Sequence, residues 1–339
     1  MRIMTIADAL SSSSIGGTPL LPVAGVLQLR FGKADVLFVE SAWYGWHNVW
    51  RYRVAKPKRD EPYKSPIKRW LRHIRWLEQT VESARKRRIP TVFWDKEGIT
   101  HWGRFIDAAR LFDHVFTVDD STIPLYRDAL GPNASVHSLP FAVQPRFHFF
   151  DGFHFEKNSA CFVGSYSRHI HPQRRQWQEM FFSAALKSGF GLTCFDRNSF
   201  NSREVLRYPN IEGIKVRPAV PYKETAHIYK KWLVSLNVNT NEVSKTMVSR
   251  RLVEILACGG IAVTNSNPAV ESEFSEFCHI IRKNEDAYEL FDRIKYGPSK
   301  NDLERARAGA DYIALHHTWD HRMRFIADIV GISYARTKS

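Results

Sequence analysis

The chain has 339 residues, 44% of them hydrophobic and 25% charged, with a formal net charge of +14. That is enough chain for two α/β domains, each with its own core, and the balance excludes a disordered polymer. No window reaches the apolar length of a membrane span, the start of the chain lacks a signal-peptide core, and four widely spaced cysteines indicate neither zinc nor disulfides, so a cytoplasmic setting fits.

Within residues 1–33 a Ser/Gly stretch, Ser11 to Gly17, reads as a loop, and an apolar run, Leu20 to Leu29, suits either a strand or a helix. The first clear strand is Ala34 to Glu40. It runs into a crowd of aromatics containing Trp43, Trp46, His47 and Trp50, beyond a strand's carboxyl end, where α/β domains bind ligands. Such rings stack on sugar faces, and they serve equally as plain core packing. Residues 51–90 then hold fourteen Lys/Arg against four Asp/Glu. A helix is expected from Pro66 to Arg88, with Leu71, Ile74, Leu77, Val81 and Ala84 on its apolar stripe and basic residues opposite. The basic face is either solvated or a docking surface for an anionic membrane or glycan; no nucleic-acid-binding motif accompanies it.

The next strand, Pro90 to Trp94, empties into Asp95-Lys96-Glu97-Gly98-Ile99-Thr100-His101. A carboxylate or imidazole at a strand's carboxyl end can deprotonate an acceptor hydroxyl, which makes Asp95, Glu97 and His101 the candidate catalytic groups. The blander alternative is a Lys96–Glu97 ion pair with His101 capping a helix. Asp119-Asp120, after the third strand, is not an Asp-x-Asp, and no other carboxylate pair is spaced to hold a divalent ion, so neither metal nor cofactor is expected. Residues 1–145 are expected to form one domain, 146–158 a linker and 159–315 a second domain. Residues 316–339 read as a last helix that could cross back to the first domain.

In the second domain a strand from Ala160 ends in Gly164-Ser165, with Arg168 and then Pro172-Gln173-Arg174-Arg175 at the head of a helix. A small-residue turn with arginines at a helix start is a reasonable diphosphate seat. Strands Leu192 to Phe195 and Ile214 to Arg217, a helix from Tyr222 to Trp232 and a strand Val234 to Val238 continue a doubly wound pattern. Asn237 and Asn239 should point to opposite faces of that strand. The segment Ser249-Arg250-Arg251-Leu252-Val253-Glu254-Ile255-Leu256-Ala257-Cys258-Gly259-Gly260 then reads as a short helix with a Gly-Gly stop, feeding a buried strand, Ile261 to Thr264. A carboxylate on such a helix can hold a ribose diol and an arginine a phosphate; an ordinary i, i+3 ion pair between Arg251 and Glu254 is the competing reading.

Arg251, Glu254, Ala257, Cys258, Gly259 and Gly260 resemble the donor-domain signature of glycosyltransferases with two Rossmann-like domains facing across a cleft (GT-B), group 1 type, and in particular the bacterial spore-maturation branch. Trp94 to His101, Phe112 to Asp119, Leu139 to Ala142 and Val220-Pro221-Tyr222 are similar to that branch as well. One departure is visible: many retaining relatives carry two glutamates separated by seven residues, and Thr246 stands at the partner position to Glu254. The resemblance implies a metal-independent, hexosyl-type glycosyltransferase using a nucleoside diphosphate sugar, UDP-sugar foremost. Gly164, Ser165, Arg168, Arg174, Tyr222, Asn239, Ser249, Arg251 and Glu254 would hold the donor. Trp43, Trp46 and His47 would hold a glycan or lipid-linked acceptor of cell-surface synthesis, with residues 51–90 on an anionic inner membrane face. The alternatives are a nucleic-acid-modifying glycosyltransferase and a non-catalytic docking module.

Overall fold

The computed structural model describes residues 1–20, 25–43, 50, 75–166 and 168–334. It divides into two units, residues 1–140 with 319–339, and residues 141–318. The segment 146–158 lies inside the second unit, where His148 is buried and Glu156 N–H donates to Lys231 O (2.9 Å).

The first unit carries strands β1 (Ile3–Ile6), β2 (Thr18–Pro19), β3 (Val36–Glu40), β4 (Thr91–Asp95), β5 (His114–Thr117) and β6 (Ser135–Ser138). They form one sheet in the order β2-β1-β3-β4-β5-β6, and all its pairings are parallel. Every residue of β3 and β4 is buried, as expected of central strands covered on both faces. Two helices, Ala9–Ile15 and Gly25–Phe31, occupy the region left open in sequence. The serine stretch is therefore not a loop. Ser11 and Ser14 are buried, and Gly16 ends the helix in a left-handed turn (φ 73°). Of the expected basic helix the described part is Arg75–Lys86, with Leu77, Val81 and Ala84 buried; residues 66–74 lie outside the described residues. The last helical region is two helices, Lys300–His316 and Trp319–Val330, and the second belongs to the first unit. Trp319 packs against Trp94 (5.2 Å between ring centroids) and Phe325 against Phe116 (6.1 Å).

The second unit carries β7 (Lys157–Gly164), β8 (Leu192–Asp196), β9 (Ile214–Pro218), β10 (Trp232–Leu236), β11 (Ile261–Asn265) and β12 (His279–Ile281). Its order is β12-β11-β10-β7-β8-β9, again all parallel. Ala160, Phe162, Phe181, Phe182, Leu236 and Val263 lie in its core, and all four cysteines are buried and free. Strand order reverses between β1 and β3 in the first sheet and between β7 and β10 in the second. In open α/β sheets these reversals place the ligand crevice, beyond the strands' carboxyl ends. Among the described residues no helix is long and apolar enough to cross a membrane.

Candidate functional site

At the β7/β10 reversal of the second sheet, three groups from distant sequence meet. Gly164 ends β7, Arg174 sits in the first turn of the helix Pro172–Lys187, and Arg251 sits in the first turn of the helix Arg250–Ala257. Arg251 Nε donates to Val163 O (2.6 Å), one NH group reaches Asn237 Oδ1 (3.5 Å), and the guanidinium lies 4.3 Å over the Phe162 ring. Its hydrogen bonds thus run to β7 and to the residue after β10, and not to Glu254 as in the competing ion-pair reading. A Cβ on Gly164 would stand 2.5 Å from an Arg251 nitrogen, so any larger residue there would force that guanidinium to shift. Arg174 donates to Ser165 O (3.1 Å) and keeps a buried Nε with no partner. Burial, with Arg251 and Arg197 close by, pushes the Arg174 guanidinium down to about 10. Cations that raise each other's energy in this way leave a place for an anion.

Glu254 lies one turn along from Arg251 and is 5% exposed. Oε2 accepts weakly from Tyr229 Oη (3.5 Å), and Oε1 is buried without a partner. Burial pushes its carboxyl up to about 7, against the pull of Arg250 and Arg251. Leaving a buried acceptor unmade costs about 1–3 kcal/mol, which a ligand hydroxyl donating to Oε1 would recover. The folded state holds the Glu254 proton that the unfolded chain releases near 4.5, so stability is highest below that point and falls as pH rises towards about 7. Glu254→Gln removes the charge and keeps the shape. Its melting temperature is expected to match the wild type at about pH 4 and to exceed it by several degrees at about pH 8. Identical curves at both would mean that the carboxyl is well solvated.

The start of the Arg250–Ala257 helix is held by asparagines. Asn239 Oδ1 accepts from Ser249 N–H (2.7 Å) and from Asn237 Nδ2 (3.2 Å), while its Nδ2 donates to Thr264 Oγ1 (3.1 Å). Asn267 Nδ2 donates to Met247 O and Asn241 O (3.0 Å each). Asn237 and Asn239 therefore do not point to opposite faces. β10 ends at Leu236, so the two-residue alternation no longer applies, and both amides reach Thr264. Asn239 is 1% exposed and engaged with protein groups, a brace for the helix start. Arg168 is exposed and paired with Glu204 (3.5 Å), and Tyr222 packs against His148 with the rings tilted (4.9 Å between centroids). Arg197 and Tyr208, whose hydroxyl donates to Gly164 O (3.2 Å), also border this place and were not singled out in sequence. They come from loops after β8 that carry no motif. A cavity of about 510 Å³ lined by Phe149, Asp151, Lys223 and Lys230 lies in the same unit, where Lys230 pairs with Asp151 (2.8 Å).

In the first unit Asp95, at the end of β4, is fully buried; it accepts from Glu97 N–H (2.9 Å) and Tyr126 Oη (2.9 Å), and burial pushes it up to about 7. Glu97 is partly exposed, and burial raises its carboxyl too, against Lys96 and a hydrogen bond from the Trp43 indole. His101 packs edge-on to Trp43 (5.2 Å) and makes no side-chain cap. Trp43, Glu97 and His101 are thus brought together, with Asp95 behind them. Trp46 and His47 lie outside the described residues. Lys96 does not form the ion pair with Glu97 of the blander alternative: its Nζ donates to Asp8 (3.0 Å) and Glu40 (2.8 Å). Asp119 accepts from Ile99 N–H (3.0 Å) and Ser121 Oγ (2.7 Å), holding the same loop.

A family described as "Glycosyl transferase-like" matches residues 174–328. No curated protein sequence matches the chain. Among solved structures it is similar to WaaG, a glycosyltransferase involved in lipopolysaccharide biosynthesis (TM-score 0.54, 9% identity, covering 98% of this chain and 100% of that one). It is similar also to the sucrose-phosphate synthase of Thermosynechococcus elongatus (TM-score 0.52, 8% identity, 97% and 98% covered). A third is the N-terminal domain of the Candida albicans trehalose-6-phosphate phosphatase (TM-score 0.54, 9% identity, 98% and 97% covered). At such identities the likeness is one of fold.

Proposed function

We propose that this chain, whose fold is that of the GT-B glycosyltransferases and whose residues 174–328 match a glycosyl transferase-like family, moves a hexose from a nucleoside diphosphate sugar to an acceptor hydroxyl without a metal ion. The observation that carries the reading is the pairing at one strand reversal of two crowded arginines, one with a buried unpartnered Nε, and a buried carboxylate with an unpartnered oxygen. That is a seat for an anion beside a diol, the chemistry of a nucleoside diphosphate.

In this reading Arg174, Arg251 and the first N–H groups of the helix Arg250–Ala257 stabilise the leaving diphosphate, and Glu254 Oε1 accepts from a ribose hydroxyl. Ser165 and Ser249 border the phosphates. Glu97 takes the acceptor proton: a partly exposed carboxyl raised above its ordinary value can reach a substrate, whereas fully buried Asp95 fixes the Glu97 backbone. Trp43 and His101 flank the acceptor. A UDP-sugar is the donor we favour and a cell-surface glycan the product, with residues 51–90 resting on an anionic membrane.

A thermal-shift screen against UDP, GDP, CDP, ADP and TDP, with magnesium or with EDTA, tests this. A ligand at about a hundredfold over its dissociation constant adds roughly 2.7 kcal/mol of apparent stability. One nucleotide is expected to shift the melting curve equally in magnesium and EDTA. A shift that EDTA abolishes would overturn the metal-free mechanism, and no shift with any nucleotide would overturn the donor seat.

A further inference from the structure

The second unit holds a cavity outside the donor seat that neither the motifs nor the mechanism accounts for. It has a volume of about 440 Å³ and is lined by Gln173, Gln176, Trp177, Met180, Glu242 and Asn284. Four of these lie on one stripe of the helix Pro172–Lys187, at i, i+3, i+4 and i+7. The neighbouring stripe carries Arg174 and Gln178, which both turn to Ser165 O (3.1 Å each), at the donor seat. The cavity therefore shares a helix with the donor seat but none of its side chains. Asn284 opens the helix Asn284–Ile294, which packs on the first helix where Tyr288 Oη meets Ser183 Oγ (3.3 Å). Glu242 comes from the loop after β10.

Trp177 is the fixed point of this wall. It packs on Phe181 of the core (6.0 Å between ring centroids), and its indole N–H donates to Glu242 Oε1 (2.7 Å). The ring is thus held while part of it stays exposed. Around it the side-chain amides of Gln173, Gln176 and Asn284 are exposed and make no hydrogen bond among the described residues. Glu242 is the only charged residue of the six. A held indole offers a flat apolar face, free amides both donate and accept, and the second carboxylate oxygen accepts. A purely apolar ligand would cover these polar groups without satisfying them, and a phosphate would meet a carboxylate and no lining cation. A sugar ring has an apolar face to lay on the indole, and its hydroxyls donate and accept around the rim.

We propose that this cavity is a second carbohydrate site, which holds uncharged sugar residues of a glycan by stacking on Trp177 and by hydrogen bonds to Gln173, Gln176, Glu242 and Asn284. This goes beyond the glycosyltransferase reading and does not depend on it, since holding a glycan here needs neither donor nor turnover. Free amide side chains must be ordered on binding, so the site is weak by itself. Its use is to add a second hold on a long glycan that another part of the chain also binds.

Saturation-transfer NMR on the full chain, with maltotriose, cellotriose and mannotriose at millimolar concentration, tests the site. At least one trisaccharide is expected to give signal that Trp177→Ala reduces severalfold. That variant also loses core packing; if it fails to fold, Gln176→Ala combined with Asn284→Ala, both at exposed positions, decides by the same severalfold loss. No signal from any trisaccharide, signal indifferent to the double variant, or signal that an equal concentration of inorganic phosphate abolishes would each overturn the proposal. The donor reading stands or falls separately: the double variant should keep the full thermal shift given by the stabilising nucleotide, and a site lost together with that shift would belong to the donor seat and overturn the second site.

Discussion

Arg251→Ala is expected to cut turnover of the nucleotide sugar by roughly a hundredfold or more, which corresponds to about 3 kcal/mol of transition-state stabilisation. The guanidinium is held at three points, on Val163 O, on Asn237 and over the Phe162 ring, so it meets a phosphate already oriented. The same substitution should cost little stability. It removes two hydrogen bonds, one of them long, and a cation–π contact, but it also relieves the repulsion that adds to burial in lowering Arg174. The variant is therefore expected to melt within a few degrees of the wild type and to lose most of the shift given by the stabilising nucleotide. Arg251→Lys should rescue only part of the loss, because an ammonium lacks the planar fork that is held on Val163 O and over the Phe162 ring while presenting further N–H groups to a phosphate. Near-normal turnover in Arg251→Ala would remove Arg251 from the mechanism. A nucleotide shift retained with lost turnover would place its effect in the transition state alone.

The parts of this site that were legible in sequence share one property: they are local. The Arg251–Glu254 spacing and the Gly-Gly stop lie within twelve residues and yield the helix Arg250–Ala257 and β11 as read. Apolar runs bounded by turn residues likewise mark β3, β4, β8 and β9 to within two or three residues. What was illegible depends on pairing across the chain. β1 is four residues long and β2 two, too short for periodicity, so the first sheet's reversal point could not be found, and with it Asp8 and Glu40. Neither residue carries a motif; the parallel pairing of β1 with β3 and of β3 with β4 brings them to Lys96. The asparagines failed for a related reason. Alternation assigns faces only inside a strand, and β10 stops one residue before Asn237.

The glycine that stops the central helix gives the sharpest stability test. Gly259→Ala is expected to lower unfolding free energy by about 2–4 kcal/mol, from two separate causes. Gly259 has φ 69°, a left-handed conformation that costs an alanine about 1 kcal/mol. An added Cβ would also overlap the Phe150 ring, approaching Cε2 to 2.6 Å. That ring is not free to swing aside, since it packs on Phe153 (5.0 Å) and under the Arg307 guanidinium (4.9 Å). Gly189→Ala separates the causes: Gly189 has φ 75° but nothing within 4 Å of its Cβ position. Urea unfolding should place Gly189→Ala about 1 kcal/mol below the wild type and Gly259→Ala clearly below that. Equal losses would mean that Phe150 yields and the overlap costs nothing. Because Gly259 closes the helix carrying Arg251 and Glu254, a folded Gly259→Ala protein with normal nucleotide affinity would place that stop in stability alone, whereas weakened affinity would show that the donor seat depends on where the helix ends.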